Sequence, residues 1–117
     1  MPAQVYNIRI DQGATFRLTL RWVDDLDQSL IPAGATARMQ VRPTHASDEV
    51  LLDMTTENGG ITIDEGEGRI DVRGEAAVTA LMPAPAQVVY DLEVEAPDGT
   101  VDRLIEGFAR VMPEVTR

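Results

Sequence analysis

The 117-residue sequence contains no cysteine and no lysine, and it has a single histidine. Without cysteine the chain can form neither a disulfide framework nor a thiolate metal site. A single histidine also excludes the metal motifs that need two of them. No apolar run approaches the roughly 20 residues that a membrane-spanning helix needs. The first residues lack the basic and apolar regions of a secretion signal, so we expect no signal peptide and no membrane partner.

The charge of the chain is strongly unbalanced. Twenty carboxylates face ten cations, all of them arginine, which gives a formal net charge of −10. An acidic surface repels nucleic acid and anionic lipid, so neither is a predicted partner. The apolar fraction of 44% suits a folded chain, and a chain of this length can bury its own core. We therefore predict one domain covering residues 1–117.

Alternation of apolar and polar residues runs along most of the chain. It is clearest in 14–23, where Phe16, Leu18, Leu20 and Trp22 share one face, which indicates a half-buried strand. Turn signals such as Asn58-Gly59 separate such segments. An alanine-rich exception near 75–82 predicts one short helical turn with Ala77, Val78 and Leu81 at helical spacing. The predicted strands are 5–10, 14–23, 35–42, 50–55, 61–64, 69–73, 87–95 and 101–111.

In the last of these segments the register is ambiguous, because Leu104 and Ile105 are adjacent apolar residues and Gly107 is a candidate bulge. A series of about seven or eight short strands joined by turns is typical of an antiparallel sandwich. We therefore expect an all-β fold, an antiparallel β-sandwich with immunoglobulin-like architecture.

Groups able to do chemistry are few and scattered. His45 and Ser47 share a polar loop, and loop neighbours rarely supply a nucleophilic triad with its oxyanion hole. The acidic loop beginning at Asp24 lacks the glycine and the glutamate of an EF-hand calcium loop. The acidic turn at 64–67 is better explained as a solvated turn. We predict no catalytic, cofactor-binding or metal-binding residue, no cofactor and no enzymatic activity.

Exposed arginines alternate with apolar residues along three predicted strands, at Arg17 and Arg21, Arg38 and Arg42, and Arg69 and Arg73. Two interpretations stay open: pairing within the sheet with the row Asp91, Glu93 and Glu95, or docking on the acidic patch of another subunit. The two chain ends, 1–4 and 113–117, are candidate arms that order on assembly. The candidate interface residues are Arg17, Arg21, Arg38, Arg42, Pro113, Glu114 and Arg117.

Segments 11–22, 34–42 and 90–117 together resemble small virion proteins of tailed bacteriophages and prophages. They are similar to the amino-terminal sandwich domain of baseplate upper proteins. The resemblance implies a non-enzymatic structural protein of the tail, baseplate or neck, made in the host cytoplasm and located in the virion. Its partners would be copies of itself and other virion proteins. Alternative roles are a capsid decoration protein and a host-surface carbohydrate-binding module, although the chain has few aromatic residues to expose to a sugar.

Overall fold

The structure is a computed structural model that describes residues 3–116. Nine strands and one short helix make up its regular elements. Their bounds are β1 Gln4–Val5, β2 Ile8–Asp11, β3 Phe16–Arg21, β4 Thr36–Arg42, β5 Leu52–Thr55, β6 Ile61–Asp64, β7 Arg69–Gly74, α1 Ala76–Thr79, β8 Ala86–Glu95 and β9 Val101–Met112. No helix among residues 3–116 has the length and apolar character to span a membrane.

The strands form two sheets. The larger sheet has the order β1-β9-β8-β4-β5, with β2 also paired to β9, and the smaller sheet has the order β3-β7-β6. Two sheets of these sizes, a larger one that packs against one of three strands, occur in the immunoglobulin fold. The predicted all-β, immunoglobulin-like sandwich is thus confirmed, and the helix lies inside the predicted range 75–82.

The N-terminal segment departs from the predicted single strand 5–10. It divides into β1 and β2, which both pair with β9 in parallel, whereas every other pairing is antiparallel. The interruption at Tyr6 and Asn7 lies beside Gly107, where an added Cβ atom would be 2.7 Å from the Tyr6 carbonyl oxygen. Gly107 thus gives the N-terminal segment room to pass close to β9.

The ambiguous register of β9 is resolved by a bulge next to Leu104. Leu92 pairs with Ile105 and Glu93 pairs with Arg103, so Leu104 is the extra residue. Gly107 itself pairs regularly with Tyr90, so the candidate bulge at Gly107 was wrong. An extra residue at this point changes which face the following side chains occupy. Ile105 therefore enters the core although it follows another apolar residue.

The core lies between the two sheets and is built from the alternate residues of each strand. Met39, Val41 and Leu92 of the larger sheet and Ile70 and Val72 of the smaller one are almost entirely buried. Each methylene removed from water contributes about 0.8 kcal/mol. Such burial is the main force that holds the two sheets together.

The helix α1 is tied to the sandwich by a polar side chain. Thr79 is fully buried. Its hydroxyl accepts a hydrogen bond from the Gly13 amide at 3.1 Å and lies 2.8 Å from the Ala14 carbonyl, to which it can donate. The helical spacing in the sequence suggested that Val78 and Leu81 belong to the packed face of this turn. In the structure they are instead 40% and 85% exposed. A buried threonine hydroxyl, rather than an apolar stripe, fixes this turn.

Candidate interaction surface

The outer face of the larger sheet carries an ordered charge network. The Arg38 guanidinium lies 3.0 Å from the Glu93 carboxylate, and the Arg103 guanidinium lies 3.3 Å from the other oxygen of the same carboxylate. Arg103 also pairs with Asp91 at 3.3 Å and with Glu106 at 3.8 Å. These groups are on neighbouring strands and face solvent, where each pair contributes less than about 1 kcal/mol. The network organises the face more than it stabilises the fold.

Burial changes the acidity of Asp91 in this network. Desolvation raises the pKa of Asp91, and the nearby Glu93 carboxylate raises it further, while the positive charge of Arg103 acts in the opposite direction. The raised pKa means that keeping this carboxylate ionised costs free energy in the folded protein. The folded state therefore gains stability as the pH falls and Asp91 takes up a proton.

Apolar side chains interrupt the charges on the same face. Val89 of β8 and Phe108 of β9 are directly paired across the two strands. Phe108 is 49% exposed, and Val5 of the neighbouring edge strand, which pairs with Glu106, is 71% exposed. We call Val5, Val89 and Phe108 the Phe108 patch. An exposed apolar cluster rimmed by charges is a common mark of a protein-binding surface.

Opposite charges flank the Phe108 patch along β9. Glu106 and Arg110 lie two residues to either side of Phe108, so all three side chains project from one face of the strand. Within residues 3–116, Arg110 makes no ion pair. The strand thus presents an acidic group, an aromatic ring and a basic group in sequence.

The four arginines predicted to form an interface are divided between the two sheets. Arg38 and Arg42 are on β4 of the larger sheet, whereas Arg17 and Arg21 are on β3 of the smaller sheet. They cannot form one docking face, because the sheets turn their outer sides in opposite directions. Pairing within the sheet, one of the two interpretations left open, describes Arg38, which contacts Glu93 and Glu95.

The other predicted arginines have different surroundings. Arg42 donates to the Ser47 carbonyl and the Gln40 side-chain oxygen, each at 2.8 Å, beside a shallow cavity of about 230 Å³ that His45 also lines. Arg21 bonds to the Asp27 carboxylate at 2.8 Å. Arg17 makes no ion pair with residues 3–116 and is directly opposite Arg73.

The predicted terminal arms are only partly described. Gln4 is held in β1, and the Glu114 amide donates to the Gln12 side-chain oxygen at 3.1 Å. Pro113 is exposed. Arg117, Met1 and Pro2 lie outside the described residues. Gln4 and Glu114 therefore have partners within the chain itself.

Loop carboxylates mostly stabilise their own turns. The Asp24 carboxylate accepts the amides of Leu26 and Gln28, each at 2.9 Å. The Asp64 carboxylate accepts the Glu67 amide at 3.2 Å. Across residues 3–116 no group of three or more acidic or histidine side chains is arranged to hold a metal ion. These contacts explain the acidic loops as turn chemistry.

Comparison with known proteins identifies no family for this chain. No family model and no curated protein matches the sequence. The structure is similar to the extracellular domain of the voltage-gated sodium channel β4 subunit, described as a parallel homodimer with a role in cell–cell adhesion. The two are 11% identical over 98% of this chain and 97% of that one, with a TM-score of 0.49.

Two further solved structures show the same kind of distant likeness. One comes from a study of cell-adhesive interactions of sodium channel β subunits, at 12% identity over 92% of each chain and a TM-score of 0.47. The other is murine CRIg, at 10% identity over 92% of each chain and a TM-score of 0.39. Likenesses this remote assign no function to this chain.

The predicted structural role in a phage virion was wrong by these comparisons. The three solved structures described above come from sodium channel β subunits and a murine protein, not from phage proteins. The alternatives of capsid decoration and carbohydrate binding at a host surface gain no support from them either. The resemblance to baseplate upper proteins and the location in a virion are not tested by any of these findings.

Proposed function

We propose that this chain is a non-enzymatic protein-binding module that associates with a second copy of itself through the outer face of its larger sheet. The observation that carries the proposal is the Phe108 patch between Glu106 and Arg110. Phe108 is 49% exposed and lies with Val5 and Val89 among the charged side chains of this face. Aromatic residues are enriched at the centres of protein interfaces, where they contribute much of the binding energy.

The order of the charges makes this face complementary to itself. Glu106, Phe108 and Arg110 follow one another at alternate positions of β9. A twofold axis that passes through Phe108 and runs across the strands would place one β9 antiparallel to that of a second copy. Glu106 of each copy then faces Arg110 of the other, and the two Phe108 rings meet. An isologous contact of this kind closes after two subunits.

The same proposal holds that the chain is not an enzyme. His45 is exposed in its loop. The Ser47 hydroxyl oxygen accepts the Glu49 amide at 3.1 Å, as expected for a turn residue. A serine nucleophile would need a hydrogen bond to its base, and the hydrogen bonds within residues 3–116 include none between Ser47 and His45. We therefore assign the function to surfaces.

The mass of the protein in solution, measured by sedimentation equilibrium over a range of concentrations, tests self-association. We expect the native chain to approach twice its monomer mass, and Phe108→Glu to remain monomeric. Leu81→Glu is the matched control, because Leu81 is also exposed but lies in the segment after α1. A native chain that stays monomeric at millimolar concentration would contradict the proposal. So would an equal effect of both substitutions.

A further inference from the structure

The smaller sheet ends in a strand with an uncovered edge. Strand β3 pairs with β7 on one side, and no strand within residues 3–116 pairs with its other side. The strand is six residues long and contains no proline or bulge, and its charged side chains are the two arginines Arg17 and Arg21. Its outward backbone N–H and C=O groups are therefore available to another extended chain.

A groove runs beside this edge. Leu18, Thr19 and Leu20 of β3 line one side of a cavity of about 190 Å³. Gln4, Tyr6 and Ile105, which belong to the larger sheet or its N-terminal interruption, line the other side. The cavity thus lies in the seam between the two sheets. An added strand would direct alternate side chains into it, and the mainly apolar lining selects small apolar residues for those positions.

The other face of an added strand would meet positive charge. Arg17 and Arg21 project outward from β3, and Arg17 is directly opposite Arg73 of β7. Like charges facing each other across a pair of strands are destabilising. Arg17 has no carboxylate partner within residues 3–116. Arg73 is already paired with the Glu75 carboxylate at 2.9 Å. A carboxylate beside Arg17 would give the second arginine of the pair a partner as well.

We propose that the β3 edge binds an extended peptide in which apolar and acidic residues alternate, the apolar ones entering the seam groove and the acidic ones facing Arg17. This surface lies on the sheet opposite the proposed self-association face and does not depend on it. A second copy of β3 is a poorer occupant. A symmetric pairing centred on Thr19 would place Arg17 opposite Arg21 of the other copy.

The probes are eight-residue peptides with both ends blocked. Their binding is measured through the amide chemical shifts and the hydrogen exchange of the full chain. One peptide alternates valine with glutamate, a second alternates valine with arginine, and a third is the valine–glutamate peptide with alternate backbone amides methylated. We expect the first to bind weakly, with a Kd near or below about 1 mM, and to shift and protect amides of β3. The methylated peptide should lose binding, because the added methyl groups remove the hydrogen bonds of one edge.

Charge reversal supplies the second measurement. Arg17→Glu should weaken binding of the valine–glutamate peptide about three- to tenfold, the range expected for the loss of one exposed ion pair and its replacement by repulsion. The same variant should strengthen binding of the valine–arginine peptide. Arg9→Glu is the matched control: Arg9 is an exposed arginine on the other sheet, paired with Asp11 at 2.7 Å. It should leave both affinities unchanged.

Several results would overturn the proposal. They are failure of the valine–glutamate peptide to bind at millimolar concentration, equal binding of both charge types, and peptide-induced shifts that map to another edge or to the Phe108 patch. Concentration-dependent protection of β3 amides without any peptide would show that a second copy is the occupant instead. That result would overturn the assignment to an acidic peptide.

Discussion

The hydroxyl of Tyr90 donates a hydrogen bond to the backbone carbonyl of Tyr6. Tyr90 lies in the middle of β8, and Tyr6 is in the interruption between β1 and β2, 84 residues away in the sequence. Between the two tyrosines lies Gly107 of β9, which pairs with Tyr90. Because glycine has no side chain, it does not block the hydrogen bond across β9. Together these three residues attach the N-terminal segment to the larger sheet.

Replacing Tyr90 with phenylalanine should lower the free energy of unfolding by about 1 kcal/mol, because the Tyr6 carbonyl loses its partner in a partly buried position. Chemical denaturation at pH 7 measures the change. The interior packing of the ring is kept, so the main loss comes from the hydroxyl. A change within experimental error would show that the bond does not contribute to stability.

Alkaline pH should weaken the native protein through the same hydroxyl. Burial raises the pKa of Tyr90 to about 12, and the neighbouring Tyr6 adds to the shift. The unfolded state releases this proton near pH 10.0, the ordinary value for tyrosine. Between the two pKa values the folded state binds more protons, so its stability falls as the pH rises. The difference in stability between the native protein and Tyr90→Phe should shrink over that range.

Gly107→Ala should destabilise the fold by about 1–3 kcal/mol, as expected for overpacking. The new Cβ atom would lie 2.7 Å from the Tyr6 carbonyl oxygen and 2.8 Å from the Asn7 side-chain oxygen. Gly66→Ala is the matched control, because an added Cβ there meets only the Asp64 carboxylate at 3.7 Å. Thermal unfolding of the two variants compares them. Equal stability would contradict the close approach of the N-terminal segment.

Thr79→Val removes a buried hydroxyl while nearly keeping the side-chain shape. The Gly13 amide then loses its acceptor, and we expect a loss of about 1–3 kcal/mol. Thr62→Val provides the comparison, because Thr62 is exposed on β6. Denaturation curves measured side by side should show a large change only for Thr79. A loss shared by both variants would mean that the bond to Gly13 is unimportant.

The sequence predicted those features that depend on neighbouring residues. Strand β3 is an example: Phe16 is buried, Arg17, Thr19 and Arg21 are exposed, and the in–out alternation of the sequence appears directly in the structure. Period-two patterning records which face of a strand meets the core. The same reasoning placed most other strands and the turns between them.

Features that depend on distant residues were not visible in the pattern. The parallel pairing of β1 and β2 with β9 depends on Gly107 and Tyr90, about 100 and 84 residues away along the chain. The topology decides which of the two sheets each arginine belongs to. The alternation within a strand does not reveal this, because it is the same whichever sheet the strand joins. Phe108 was not selected as an interface residue. Its exposure follows from the bulge at Leu104, which changes the face that later residues of β9 occupy.

Charge exchange across the proposed self-association face is the most direct test of the proposed function. Glu106→Arg and Arg110→Glu should each weaken the dimer in sedimentation equilibrium, because either change places like charges opposite each other across the twofold axis. The double variant restores both opposite-charge contacts with their polarity reversed, so it should dimerise almost as well as the native chain. A double variant as weak as the sum of the two single variants would contradict the arrangement of the two copies.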